Sequence, residues 1–377
     1  MKLKTTTTVV LMIGMIFNVF SQVQNNNSTE KKGINIGNLV EMSGNWFIAY
    51  RDGVQQVQAD ANVTAVNPHS SAFVLKRSYF TLKKDIDKTF SVRYTMDLTI
   101  DEEGDDAGNV ETRLKYLYLK AKLKSDFFTG TSIEAGMVHR PWLDYEQKIN
   151  TYRVQDNMFI ERNKIFNSAD FGIMLQGNIG PKMDKDFLQN VNNSMKGKYA
   201  SYAIGIYNGG GYSGAELNNN KVIAGRLSFR PFANSFPELQ FSTYFNTGRG
   251  NSEYSPDFNQ VIGFAGYTGK QITLTAQFHT GEGDFRALYV DENAPSVALD
   301  NHGYSFFIEY KLKKTPFAIW GRYDIFEVDQ IDNDTERIIA GLTYKVNDYI
   351  RQVGNTEITT QSDEKENILE LNLEIVF

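Results

Sequence analysis

The amino-acid sequence predicts an all-β chain: a transmembrane antiparallel up-and-down β-barrel of about 16 strands, with a long third external loop folded into the lumen. Three observations carry this. Beyond residue 21 no apolar run reaches the roughly 18 residues that a membrane helix needs. Segments of roughly ten residues alternate apolar and polar side chains, the pattern of a tilted strand with lipid on one side and water on the other. The connections between these segments sort into short and long by the parity of the strand they follow.

The chain opens on Lys2 and Lys4, followed by an apolar run from Val9 to Phe20 that is too short to cross a bilayer, and then Val19-Phe20-Ser21 before Gln22. This predicts a secretory signal peptide over residues 1–21 and export to a bacterial outer membrane. A polar segment over residues 22–44 and the barrel over residues 45–377 complete the expected organisation. With 26 Phe, 20 Tyr, 30 Gly and only 8 Pro, the composition favours strands joined by glycine-containing turns. There is no cysteine, so an exported chain of this kind relies on a large continuous architecture instead of disulfides. The formal charge is −6, or −8 without Lys2 and Lys4, which argues against nucleic acid as a partner.

The clearest strand runs over residues 89–100, where Phe90, Val92, Tyr94, Met96, Leu98 and Ile100 alternate with Ser91, Arg93, Thr95, Asp97 and Thr99. The last segment repeats the pattern: Leu369, Leu371, Leu373, Ile375 and Phe377 alternate with Glu370, Asn372 and Glu374. The same rule predicts strands at 45–53, 71–83, 89–100, 110–123, 131–139, 169–179, 198–208 and 221–230. It continues at 237–247, 258–268, 270–281, 302–312, 316–326, 336–346, 349–359 and 367–377. Connections after even strands are mostly tight, such as Gly269 and Asn347-Asp348, whereas those after odd strands are long and rich in Gly, Asn and acids. Outer-membrane barrels sort their periplasmic turns and external loops in this way. Residues 180–197 break the rule, as a long polar turn on the short side. Tyr79, Phe80, Tyr116, Tyr118, Tyr267, Tyr304 and Tyr344 cluster toward strand ends and are expected in interfacial girdles.

A barrel of this size leaves a lumen lined by the polar strand faces, and function then lies in what narrows it. The longest loop, residues 140–168, follows the fifth strand. It carries Arg140, Lys148, Arg153, Arg162 and Lys164 against Asp144, Glu146, Asp156 and Glu161, with Trp142, Tyr145, Tyr152, Met158 and Phe159 between them. A loop of this length with its own aromatics is expected to pack inward and to place opposed charges at a constriction. Strand parity adds Arg77, Arg93, Arg226, Arg230 and Arg322 to the lumen, with Asp97, Glu134 and Asp324. The four histidines, His69, His139, His279 and His302, show no metal-ligand spacing. The run Asp101-Glu102-Glu103-Gly104-Asp105-Asp106 reads as a solvated acidic loop, and Asn208-Gly209-Gly210-Gly211-Tyr212 does not open a helix as a nucleotide loop would. No Gly-x-Ser-x-Gly elbow occurs.

Phe159-Ile160-Glu161-Arg162-Asn163, then Ala169-Asp170-Phe171-Gly172-Ile173-Met174-Leu175-Gln176-Gly177, resemble the middle region of the phosphate-selective porin O and P family. Tyr202-Ala203-Ile204-Gly205-Ile206-Tyr207-Asn208-Gly209 and Gly225-Arg226-Leu227-Ser228-Phe229-Arg230-Pro231 follow in the same order. The resemblance implies a sixteen-stranded trimeric barrel whose third loop folds inward and whose lumen guides anions on arginine and lysine. The expectation is therefore a passive outer-membrane channel for small hydrophilic solutes, with Arg140, Arg153, Arg162, Lys164, Arg93, Arg226 and Arg322 as constriction or solute-binding residues. Its expected partners are outer-membrane lipid, a small-molecule or ion permeant, and two further copies in a homotrimer. No catalytic residue, metal or cofactor is expected. The competing readings are a receptor or adhesin barrel with a plugged lumen, and a barrel enzyme, which needs a nucleophile and base that the sequence does not supply.

Overall fold

The computed structural model describes residues 34–35, 40–56, 66–100, 108–331, 334–362 and 364–377. The predicted signal peptide, most of the segment 22–44 and the acidic run from Asp101 lie outside them. Sixteen strands form the wall. The first eight are β1 (Glu41–Gln56), β2 (Val66–Asp85), β3 (Phe90–Ile100), β4 (Val110–Lys122), β5 (Phe128–His139), β6 (Ala169–Ile179), β7 (Ala200–Tyr207) and β8 (Val222–Phe229). The second eight are β9 (Leu239–Thr247), β10 (Asn259–Thr268), β11 (Ile272–Glu282), β12 (Asp300–Lys311), β13 (Phe317–Val328), β14 (Thr335–Lys345), β15 (Ile350–Gln361) and β16 (Glu364–Val376). Each pairs antiparallel with the next, and β16 returns to β1 with Leu371 opposite Tyr50, so no edge is left open. At the seam Gly44 and Phe377 exchange both backbone hydrogen bonds, at 2.8 and 3.0 Å. A Cβ on Gly44 would stand 2.8 Å from the Phe377 ring and from the Tyr79 carbonyl, so the seam requires glycine there.

Alternation sets the two faces. Phe73 is 79 % exposed and Ile173 59 %, with Ile206, Ile308 and Ile319 alike on the outer face. An apolar girdle on the outside of a closed sheet is what lipid demands. Side-chain caps make the short turns: Asp87 accepts from the N–H of Thr89 and Phe90, and Asn347 from those of Tyr349 and Ile350.

All sixteen expected strands are present, with shifted ends. β1 starts four residues before the expected 45, because Glu41 to Gly44 pair with β2. β5 begins at Phe128 instead of 131, since a register shift between Thr129 and Ser132, with Gly130 at φ 63°, breaks the alternation there. The tyrosine girdle needs correction. Tyr267, Tyr304 and Tyr344 stand on the outer face, but Tyr79, Tyr116 and Tyr118 point inward. The reason is a bulge in each of β2 and β4, described below. The lumen also departs from expectation: instead of polar faces lining water all round, Met174, Val222, Ala224, Tyr244, Ile262, Phe264 and Phe326 form an apolar core inside the barrel.

Candidate permeation path

That internal core exists because the third loop, L3 (residues 140–168), fills it. Arg140 anchors its start. Its guanidinium is fully buried, donates to Asp170 at 2.7 Å and to the Gly209 carbonyl at 3.2 Å, and lies among the Phe166, Tyr207 and Phe258 rings. The Gly209 N–H donates back to Asp170 at 3.0 Å. The glycine run at 209–211 makes this approach: Gly211, at φ 79°, leaves no room for a Cβ beside the Asn167 side chain.

From this anchor L3 follows the wall. The short helix α1 (Leu143–Glu146) follows Trp142, which is enclosed by Tyr145, Tyr244 and Phe264. Tyr145 bonds Ser242 of β9. Tyr152 donates to Glu309 of β12 at 2.8 Å and stacks on Trp320 of β13 at 4.7 Å. The Gln155 carbonyl accepts from Lys76 of β2 at 3.0 Å. The Asn157 carbonyl accepts from Arg322 of β13 at 2.9 Å. Helix α2 (Phe159–Arg162) then turns the chain back, with Phe159 against His279 and Phe326 and Arg162 paired to Glu357 of β15. The loop after β11 covers L3 from the other side, since the Phe285 N–H donates to the Ile165 carbonyl and the Tyr289 hydroxyl to that of Asn163.

What L3 leaves open lies off the barrel axis, against β1 to β4. A cavity of about 340 Å³ there is lined by Lys83, Arg93, Lys115 and Arg153 and by two side-chain carboxylates, Glu41 and Asp144. A second cavity of about 480 Å³ shares Glu41, Lys83 and Arg93 with the first and reaches the short-turn rim. Lys83 pairs with Glu41 at 3.2 Å and Arg153 with Glu161 at 3.1 Å. The other two cations are different. Lys115 donates to the Tyr79 hydroxyl at 3.0 Å and sits over the Tyr79 and Tyr212 rings, while Arg93 donates to His139 at 3.0 Å and lies over Tyr116. Among the described residues no carboxylate oxygen lies within 4.0 Å of either. Of the carboxylates on L3, Asp144 meets burial, which opposes its charge, but Lys148, His139 and Arg93 outweigh it and hold the group well below the usual carboxylate range.

Of the expected site residues, Arg93 and Arg153 line this path. Arg140 is fully buried and Arg162 half-buried, each in an ion pair that ties L3 to the wall. Arg322 is buried against Asp324 and the Asn157 carbonyl. Arg226 lies on the far side of L3, over the Tyr145 ring and bonded to the Pro141 carbonyl, Ser201 and Ser228. Lys164 is exposed. Lys76 and Lys115 escaped the parity count because each is a bulge residue. β2 skips Lys76 where Phe47 faces Arg77 and Ile48 faces Leu75, and β4 skips Lys115 where Thr95 faces Tyr116 and Met96 faces Leu114. A bulge points two successive side chains inward, and only broken alternation around Lys76-Arg77 and Lys115-Tyr116 signals it in the sequence.

The fold is that of the bacterial outer-membrane porins. The anion-selective porin from Comamonas acidovorans superposes with a TM-score of 0.62 over 90 % of this chain and 99 % of that one, at 10 % identity. Salmonella typhi OmpF, in a complex with daunomycin, gives 0.58 over 90 % and 97 % at 12 % identity. The outer-membrane channel DcaP of Acinetobacter baumannii gives 0.57 over 92 % and 100 % at 10 % identity. No protein-family profile matches the sequence, and no curated protein matches it.

Proposed function

We propose that this chain is an outer-membrane porin: a passive channel through which small hydrophilic solutes cross down their gradient, with a preference for anions. The observation that carries the reading is the off-axis path beside L3, where Lys83, Arg93, Lys115 and Arg153 outnumber the lining side-chain carboxylates and, among the described residues, neither Lys115 nor Arg93 has a carboxylate within 4.0 Å. In a narrow water-filled passage with low-dielectric walls, an excess of lining cations raises the local concentration of anions. The acidic balance of the whole chain does not oppose this, because selectivity follows the charges that line the path. The likeness to an anion-selective porin and the resemblance to the phosphate-selective family support the same reading. Arg140, Arg162 and Arg322 are assigned to holding L3, and Arg93, Arg153 and Lys115 to the permeant. Export by a signal peptide over residues 1–21, insertion in the bacterial outer membrane and assembly as a homotrimer belong to the proposal. No catalytic step is required.

Single-channel recording of the purified protein in a planar bilayer, under a salt gradient and with added phosphate, tests it. Steady open steps with an anion-biased reversal potential, reduced by phosphate, are the expected result. Cation bias would overturn the preference while keeping the channel. Electrical silence from folded, heat-resistant protein would replace the channel with a receptor barrel whose lumen L3 plugs.

A further inference from the structure

The long turn on the short-turn side, residues 180–199, does not hang below the barrel. It carries helix α3 (Lys185–Asn190) and turns back into the lumen, where Met183, Phe187 and Met195 join the same apolar core as Trp142 and Tyr145 of L3. Leu188 and Val191 pack against that core. Three contacts hold it. Asn192 donates to the Lys148 carbonyl of L3 at 2.7 Å. Arg230 donates to the Gly197 and Pro237 carbonyls and lies over the Phe187 ring. Lys270, in the turn between β10 and β11, pairs with Asp186 at 3.1 Å, so the segment reaches from its own strands, β6 and β7, to that turn. What remains of the lumen on this side is a cavity of about 240 Å³, lined in part by Tyr145, Met195, Arg226 and Gln240 and bordering the β1–β4 path at Lys120 and Asp144. A segment that only linked β6 to β7 would need a few residues and no apolar side chains.

We propose that residues 180–199 are an inner plug: they close the lumen beneath L3 on the β6–β11 side and thereby confine permeation to the cationic path along β1 to β4. The plug is a specificity-determining element of the channel proposed above and rests on that reading. Without it a solute would have a second route past Arg226, on the far side of L3.

The chain has no cysteine, so a single introduced thiol reports access cleanly. In the full-length protein, a charged thiol reagent added from the turn side labels Lys83→Cys, at an exposed position of the path, and leaves the buried Gln240→Cys unlabelled. Lys182 and Gly197 already face each other as an antiparallel bridge, so replacing residues 183–196 by Asn-Gly shortens the turn without moving β6 or β7. In that variant Gln240→Cys becomes labelled, and conductance rises roughly two-fold or more. Gln240→Cys labelling as fast as Lys83→Cys in the full-length chain would overturn the plug, whatever current the protein carries. An unchanged conductance in a folded shortened variant would overturn it as well. Absence of current from the full-length chain alone would instead contradict the porin reading.

Discussion

Individual side chains divide into those that hold L3 and those that meet the permeant, and their burial and partners separate the two groups. Arg140 belongs to the first. Its charge is compensated by Asp170 in a fully buried site, so Arg140→Ala strands a buried carboxylate and costs about 3–5 kcal/mol. The check is a lower midpoint in denaturant or heat, measured in detergent. Arg93 belongs to the second: Arg93→Ala leaves the fold intact and reduces anion bias, read as a smaller reversal potential under a salt gradient. Sequence reading found inward-facing arginines wherever alternation was unbroken, as at Arg93, Arg226 and Arg322. It missed Lys76 and Lys115 because counting by twos fails across a bulge. It also grouped Arg140 with the solute-binding residues, since no pattern in one loop reveals that Asp170 and Gly209 enclose it.

At the scale of elements, L3 is a packed element held along most of its length. Trp142 and Tyr152 are its two largest buried aromatic anchors, against β9–β10 and β12–β13 respectively. Trp142→Ala removes about 3–5 kcal/mol of packing, and the expected sign is a noisy open channel in which L3 fluctuates, with a raised mean conductance. The L3 carboxylates add a pH dependence. Lys148, His139 and Arg93 hold Asp144 low, and Lys76, Arg162 and Arg77 do the same for Asp156, each against the opposing effect of burial. A carboxyl depressed in the folded state stabilises above its unfolded value and loses that contribution only as pH falls through the depressed one. Glu146 of the same loop goes the other way, pushed up by burial to about 7, so a pH series on one bilayer is expected to show one change near pH 7, where Glu146 gains or loses its proton, and another only below about 4. The length and aromatic content of L3 announced an inward-folded loop in the sequence. The turn at 180–199 stood out only as an exception, because the four-residue spacing of Met183, Phe187, Val191 and Met195 is a helical pattern that counting strand alternation passes over.

The whole molecule was the most legible scale, since lipid imposes alternation on every strand and closure leaves no freedom in the pairing order. The dry interior was not legible. Whether an inward face meets water or L3 depends on a loop distant in sequence, so Tyr244 and Phe264 gave no sign of their partner Trp142. The resulting barrel is asymmetric: a core of aromatics fills the β5–β15 side, and water keeps the side along β1 to β4. The most direct test of that division is a pair of charge reversals compared by reversal potential under the same salt gradient, Lys115→Glu on the path and Lys164→Glu on the exposed part of L3. The account predicts that Lys115→Glu moves the potential toward cation preference while Lys164→Glu leaves it at the wild-type value. Equal shifts in both, or a shift in Lys164→Glu alone, would contradict it.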